Sequence, residues 1–344
     1  MTSTRPRGVI AATATPLQAD GRPDLERLAM HCRKLLQTGC DGINLLGTTG
    51  EATAFSVEQR LAVMRSVADA GLPLARFMVG TGVCALEDSV RLTWAAADMG
   101  FAGALLLPPF YYPDLPPDGL VAYVGEIVRR AAHPKLALYL YHIPQNTGVP
   151  WPLDVVAQLR RLHPQQVVGL KDSAGDLAYS RAVASANPGF DVFPSSEASL
   201  GKAHADGFAG CISATTNLTA PQAQAAWAGQ GTEAGAAAVR KAGELRAIIA
   251  RWPLISSVKA ALAATYRDEA RARVALPLRP LQAEQAAALA DAWAERSARD
   301  CHQHNTRNPR TEPERSACGA PPPPTPQPTC HPRATHRPPK GESP

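Results

Sequence analysis

The sequence has no uninterrupted apolar stretch long enough to cross a bilayer, and its first residues, Met1–Arg7, are polar with no apolar signal core. The reading is a soluble, cytoplasmic protein with no membrane partner. Paired cysteines are missing too. The seven cysteines fall at no metal-like or disulfide-like spacing, and three of them lie beyond residue 300. Such usage fits free thiols in a reducing compartment. A basic stripe is also absent. The formal net charge is +5, but six Lys or Arg residues against three acids sit within 301–344. The body that remains is near neutral, which argues against a nucleic-acid partner.

What is present is a pattern. The chain is 45% hydrophobic and 19% charged, enough apolar residues for a sizeable core. Short apolar runs occur at Gly8–Pro16, Gly42–Leu46, Arg76–Gly80, Gly103–Leu107, Lys135–His142, Val167–Lys171, Asp191–Pro194 and Gly210–Ala214. Their length and continuous apolarity predict strands buried on both faces. Helical spacing fills the gaps: Leu25, Leu28, Cys32 and Leu35 recur on one face, and Ser56-Val-Glu-Gln59 is a capping-box start. Leu86–Met99, Leu120–Ala131, Leu153–Leu162 and Leu177–Ala186 repeat the theme. Eight βα units in series, with no second strand-rich block, favour an α/β fold of the (β/α)8 TIM-barrel type over an open doubly wound sheet.

After Ala214 the strands stop. Ala220–Gly229, Thr232–Arg251, Leu254–Tyr266 and Leu281–Ala298 read as helices, with breaks at Pro253, Pro277 and Pro280. The expected organisation is a barrel over 1–229, a C-terminal helical extension over 230–299 and a Pro-rich, disordered tail over 300–344.

Chemistry in such a barrel gathers where the strands end. Those ends carry Thr15-Pro16, Gly47-Thr-Thr-Gly-Glu51, Gly80-Thr-Gly82, Pro108-Pro-Phe-Tyr-Tyr112, Tyr141-His142, Lys171-Asp-Ser173, Ser195-Ser-Glu197 and Ser213-Ala-Thr215. Hydroxyls, tyrosines and one lysine converge there, without a metal cluster, a carboxylate pair or a phosphate loop. Lys171 closes a run that should be buried, where an ammonium is costly. Desolvation favours the neutral amine, the form that attacks a carbonyl to make a Schiff base. A lysine that snorkels to solvent, or pairs with Asp172 or Asp176, is the competing reading. Tyr141 ends the run Leu136–Tyr141, whose alternation puts Leu136, Leu138 and Leu140 on one face and Ala137, Tyr139 and Tyr141 on the other. A phenol there can exchange protons beside the next strand's lysine, or be structural. Gly47-Thr-Thr-Gly50 is a turn whose backbone N–H groups and hydroxyls suit a carboxylate.

With these residues in view, the chain resembles the dihydrodipicolinate synthase / N-acetylneuraminate lyase family from about Gly8 to Ala298. The resemblance rests on Gly47–Glu51, Tyr111-Tyr112, Tyr141-His-Ile-Pro-Gln-Asn-Thr-Gly148, Gly169-Leu-Lys-Asp-Ser173 and Gly210-Cys-Ile-Ser213, all in family order. It implies a barrel with a helical extension, usually a homotetramer, with no metal or organic cofactor. Lys171 would form the Schiff base with pyruvate or another 2-oxo acid, and Tyr141 would shuttle the proton. Thr48 and Tyr112 would complete the relay, Tyr112 reaching in from a neighbouring subunit. Thr49 would hold the pyruvate carboxylate, and the Ile212 backbone, Asn146 and Ser173 would contribute further substrate contacts. Glu51 would support the turn and not act as a base.

One departure bears on the substrate. Dihydrodipicolinate synthase proper usually carries Asn after the catalytic tyrosine and Arg four positions further on; here those places hold His142 and Asn146. The guanidinium that would grip an aldehyde's carboxylate is missing from that position. Gln145–Gly148 and Lys171–Asp176 look more like the 4-hydroxy-2-oxoglutarate aldolase branch. The expectation is a pyruvate-releasing aldolase acting on a hydroxy-oxo acid, with an aldehyde as the second partner. The alternatives are 4-hydroxy-tetrahydrodipicolinate synthase, and an inert barrel that binds 2-oxo acids without turnover.

Overall fold

All eight apolar runs are strands. In the computed structural model, which describes residues 5–307 and the side chains through 296, they are β1 (Gly8–Ala12), β2 (Gly42–Leu45), β3 (Phe77–Gly80), β4 (Gly103–Leu106), β5 (Leu138–His142), β6 (Val167–Asp172), β7 (Asp191–Pro194) and β8 (Gly210–Ser213). Every residue of these strands is buried. Their uniform apolarity is what a parallel sheet covered on both faces requires. The strands pair in the order β7-β6-β5-β4-β3-β2-β1-β8. A hydrogen bond from Ala209 N–H to the Val192 carbonyl (2.9 Å) spans the remaining seam, so the sheet curls into a barrel.

The period of two divides the side chains between two cores. Ile10, Met78, Leu105, Tyr139, Phe193 and Ile212 point inward and fill the barrel. Val9, Ile43, Val79, Leu138, Leu140 and Cys211 point outward against the helices. The alternation expected along β5 is therefore observed. Helices return the chain after each strand: Leu25–Gln37, Val57–Asp69, Leu86–Met99, Pro117–Ala131, Leu153–Leu162, Leu177–Ala186 and Thr216–Ala228, with a short 3-10 helix, Glu197–Lys202, after β7. The Ser56 capping box is present, Ser56 Oγ accepting from Gln59 N–H and Gln59 Oε1 from Ser56 N–H.

Beyond the barrel come Glu233–Ile249, Leu254–Tyr266 and Ala283–Arg307. The last runs past Ala298, where a helix end was expected, because no proline or glycine interrupts it before Pro309. Among the described residues, 5–297 form one compact unit and 298–307 fall outside it. The Pro-rich stretch from Pro309 lies outside the described residues. Among the described residues no single helix is long and apolar enough to cross a membrane; the pair Glu233–Ile249 and Leu254–Tyr266 reaches that apolarity only together and is bent by 104°. Ile249, Val258, Ala261 and Leu262 of that pair are packed with Ala14 and Ala214 from the barrel's rim.

Candidate active site

Lys171 and Tyr141 are register partners on β6 and β5, one residue short of the strand ends. Both are 3% exposed. Lys171 Nζ lies over the Tyr141 ring, 4.3 Å from its centre. Neither acid proposed as a competing partner takes it. Asp172 points to the helix layer, accepting from Ser180 Oγ–H (2.6 Å) and Ala174 N–H (2.8 Å), and Asp176 caps the next helix through Ala178 N–H. Two residues before Lys171, Gly169 is required by space: a Cβ there would lie 2.5 Å from the Tyr139 ring.

The Tyr141 hydroxyl shares a hydrogen bond with Thr48 Oγ1 (3.0 Å), and Ser173 Oγ–H reaches it at 3.5 Å. Burial by itself raises a phenol's pKa. Here the charge of Lys171, with hydrogen bonds from Ser173, Thr48 and Lys171, outweighs burial and brings Tyr141 below its ordinary value. The strand end is held rigid from behind. Trp151 donates its indole N–H to the Tyr141 carbonyl (3.2 Å) and its backbone N–H to His142 Nδ1 (3.0 Å), while His142 stacks on Tyr179 at 4.3 Å. That backbone bond makes Nδ1 of His142 an acceptor.

Thr48 comes from the Gly47–Gly50 turn. Glu51 closes it with a left-handed backbone, φ 57°. Its buried carboxylate accepts from Ala275 N–H (2.7 Å) and pairs with the buried Lys259, which also donates to the Arg273 carbonyl (2.8 Å). Burial pulls the Lys259 pKa down, and Glu51 opposes that shift. Glu51 thus ties the turn to the helical extension, as a support.

Beside Thr48 and Tyr141 opens a cleft of about 190 Å³, bordered also by Thr53, Arg60, Leu107, Phe110, Ile143 and Asn146. Lys171 is not among its lining residues; it reaches the site through its contact with the Tyr141 ring. Gly80 forms part of the wall because a Cβ there would meet the Leu46 carbonyl oxygen at 1.9 Å. Of the other residues named from sequence, Thr49 is buried beside Thr48, and Ile212 lies in the barrel-interior cluster with Tyr141. Tyr112 is not brought in: within the chain it is 69% exposed, edge-on to an equally outlying Tyr111 at 5.2 Å. The rim hydroxyls Ser213 and Thr215, with Thr219, are consumed by the buried Glu197 carboxylate, which also receives Arg246 at 3.3 Å. Among the described residues no group of three or more His, Cys, Asp or Glu is placed to hold a metal ion.

Arg60 was missed by the sequence reading. Its helical spacing from Val57, Val63 and Met64, all apolar, was the available sign that it faces inward.

The arrangement is an amine against a phenol, with a hydroxyl behind and a narrow cleft beside them, at the carboxyl ends of barrel strands. Residues 5–295 match the model of the dihydrodipicolinate synthetase family. The chain belongs to that family. Within the dihydrodipicolinate synthetase family it is 35% identical over 291 residues to an uncharacterised DapA-like lyase of Chloroflexus aurantiacus, covering 84% of this chain and 96% of the relative. It is 34% identical over 213 residues to 4-hydroxy-tetrahydrodipicolinate synthase of Saccharophagus degradans, covering 62% of this chain and 71% of that enzyme. Dihydrodipicolinate synthase from Agrobacterium tumefaciens superposes with a TM-score of 0.77 at 25% identity, covering 84% of this chain and 98% of that one. Family membership carries class I, Schiff-base aldolase or lyase chemistry on small 2-oxo acids.

Proposed function

We propose that the protein is a pyruvate-releasing aldolase in which Lys171 forms the Schiff base and Tyr141 moves the proton. The observation that carries this reading is the placement of the Lys171 amine over the Tyr141 ring at adjacent strand ends. Lys171 Nζ attacks the keto carbon of a 4-hydroxy-2-oxo acid, and water leaves to give an iminium. Tyr141 as phenolate takes the C4 hydroxyl proton, the C3–C4 bond breaks, an aldehyde departs, and its electron pair is stored as an enamine. The phenol returns the proton to C3, and water releases pyruvate and the free amine. A phenol with a lowered pKa beside a cation suits a group that must alternate between base and acid. Thr48 passes protons onward. Thr49 and the Ile212 backbone hold the pyruvate carboxylate, with Ser173 beside the phenol and Asn146 in the cleft as further contacts. Tyr112 completes the relay from a neighbouring copy in a homotetramer, which accounts for an exposed tyrosine next to an active site.

Condensation of pyruvate with aspartate semialdehyde is the second reading, favoured by the identity to the Saccharophagus degradans synthase. Pyruvate release from a panel of 4-hydroxy-2-oxo acids, run beside a coupled assay with pyruvate and aspartate semialdehyde, separates the two. Appreciable turnover only in the second assay overturns the aldolase reading. Pyruvate binding without turnover in either assay means an inert, 2-oxo-acid-binding barrel.

A further inference from the structure

Arg60 is the one charged residue among those lining the cleft. It is 1% exposed, on the helix Val57–Asp69, and is among the largest fully buried side chains of the described residues. Its hydrogen bonds go to two backbone carbonyls, Gly80 at 2.8 Å and Gly82 at 3.5 Å, both in the cleft wall. Carbonyl oxygens accept these protons without cancelling the charge. Asp88 acts on it electrostatically without an ion pair, and the buried Nε–H finds no acceptor. Burial draws the guanidinium's pKa down to about 10, with Asp88 and Tyr123 opposing, so it remains a cation at neutral pH. A buried cation with a spare donor is expensive unless something anionic arrives to meet it.

We infer that Arg60 is the specificity residue for an anionic group, a carboxylate or a phosphate ester, carried on the aldehyde-derived half of the substrate. The inference rests on the Schiff-base reading above and adds to it the chemical class of the second partner. The pyruvate half is anchored at the Thr48–Thr49 turn and Lys171, so the free end of the substrate extends along the cleft past Tyr141. There the walls Leu107, Phe110 and Ile143 are apolar, Asn146 offers an amide, and Arg60 supplies the charge. The guanidinium that position 146 lacks is thus provided by a different element of the fold. A planar fork with a free N–H suits an oxyanion better than a neutral hydroxyl does.

The test compares wild type with Arg60→Met and Arg60→Lys on matched substrates: 4-hydroxy-2-oxoglutarate against 4-hydroxy-2-oxopentanoate, and 2-oxo-3-deoxy-6-phosphogluconate against its unphosphorylated form. The wild type should prefer one anionic member of a pair, and which pair shows it identifies carboxylate or phosphate. Arg60→Met should lose about 10- to 100-fold in kcat/KM on that substrate, mostly through KM, and change about threefold or less on its neutral partner. Arg60→Lys should keep part of the preference. Equal losses on both members, or no loss on either, would show Arg60 to be only a clamp on Gly80 and Gly82 and overturn the inference.

Direct binding separates this failure from that of the Schiff-base reading. 2-Hydroxyglutarate has the distal carboxylate and no carbonyl to condense, and 2-hydroxypentanoate lacks that carboxylate. Calorimetric preference for the first, lost in Arg60→Met, supports the Arg60 site whether or not Lys171 reacts. For phosphate, 6-phosphogluconate against gluconate serves in the same way. Absence of a preference in both pairs contradicts it.

Discussion

Lys171 Nζ lies 4.3 Å from the centre of the Tyr141 ring, and the two residues stand side by side in the ladder joining β5 to β6. The contact acts on the phenol: burial raises the Tyr141 pKa, and the charge of Lys171 with the surrounding hydrogen bonds brings it below its ordinary value.

Removing the phenol separates proton transfer from amine chemistry. Tyr141→Phe should lower kcat by about 10²- to 10⁴-fold while Lys171 still forms a trappable adduct with pyruvate, more slowly than in wild type. Steady-state kinetics and adduct mass together check this. Undiminished kcat would remove Tyr141 from the mechanism.

The exposed Tyr112 predicts a dependence on assembly. Specific activity should rise with protein concentration through the subunit dissociation range, and Tyr112→Phe should cost roughly tenfold in kcat without changing the assembled mass. Light scattering and activity on the same dilution series test it. Full activity in an isolated single chain would place the relay elsewhere.

How far the site could be read from sequence depended on how local its signals are. Lys171 and Tyr141 were visible because strand alternation and a buried run constrain where a side chain points, and Lys171 is a residue that such a run has reason to exclude. Thr48 was visible through its bracketing glycines. Arg60 was not, because an arginine in an otherwise ordinary amphipathic helix reads as solvated, and only the folded chain brings Gly80 and Gly82 to its guanidinium. The Glu51–Lys259 pair joins the second strand's turn to the extension across most of the chain, with no local pattern to announce it. The last helix passes Ala298 because the change in composition there brings no helix breaker: a helix yields to proline or glycine, and neither comes before Pro309.

That Glu51–Lys259 pair predicts a stability effect distinct from catalysis. Lys259→Met leaves a buried carboxylate without its cation and should destabilise the fold by about 3–5 kcal/mol. Chemical denaturation would show it. A variant as stable as wild type would mean that the backbone donor at Ala275 suffices for Glu51.

His31 gives a pH dependence. It is buried, its Nε2–H donating to Asn217 Oδ1 at 2.9 Å and its Nδ1 facing the Tyr266 hydroxyl at 3.3 Å. Burial brings its pKa down to about 4 from an ordinary 6.5, against the upward pull of Asn217 and with help from Arg271. The unfolded chain therefore takes up the proton first. The neutral ring's contribution is complete above pH 6.5 and is lost as pH falls from there toward 4, by about 3 kcal/mol in all. Urea midpoints at pH 7.5 and 5 should lie further apart for wild type, with the pH 5 midpoint the lower, than for His31→Gln. Identical pH slopes would contradict this assignment.

The most direct test of the central claim is borohydride reduction of the protein in the presence of pyruvate, followed by peptide mass mapping. One reduced pyruvyl adduct is expected, located on Lys171 and absent from Lys171→Met. A fully folded wild type that acquires no adduct, or acquires it on another lysine, would contradict it.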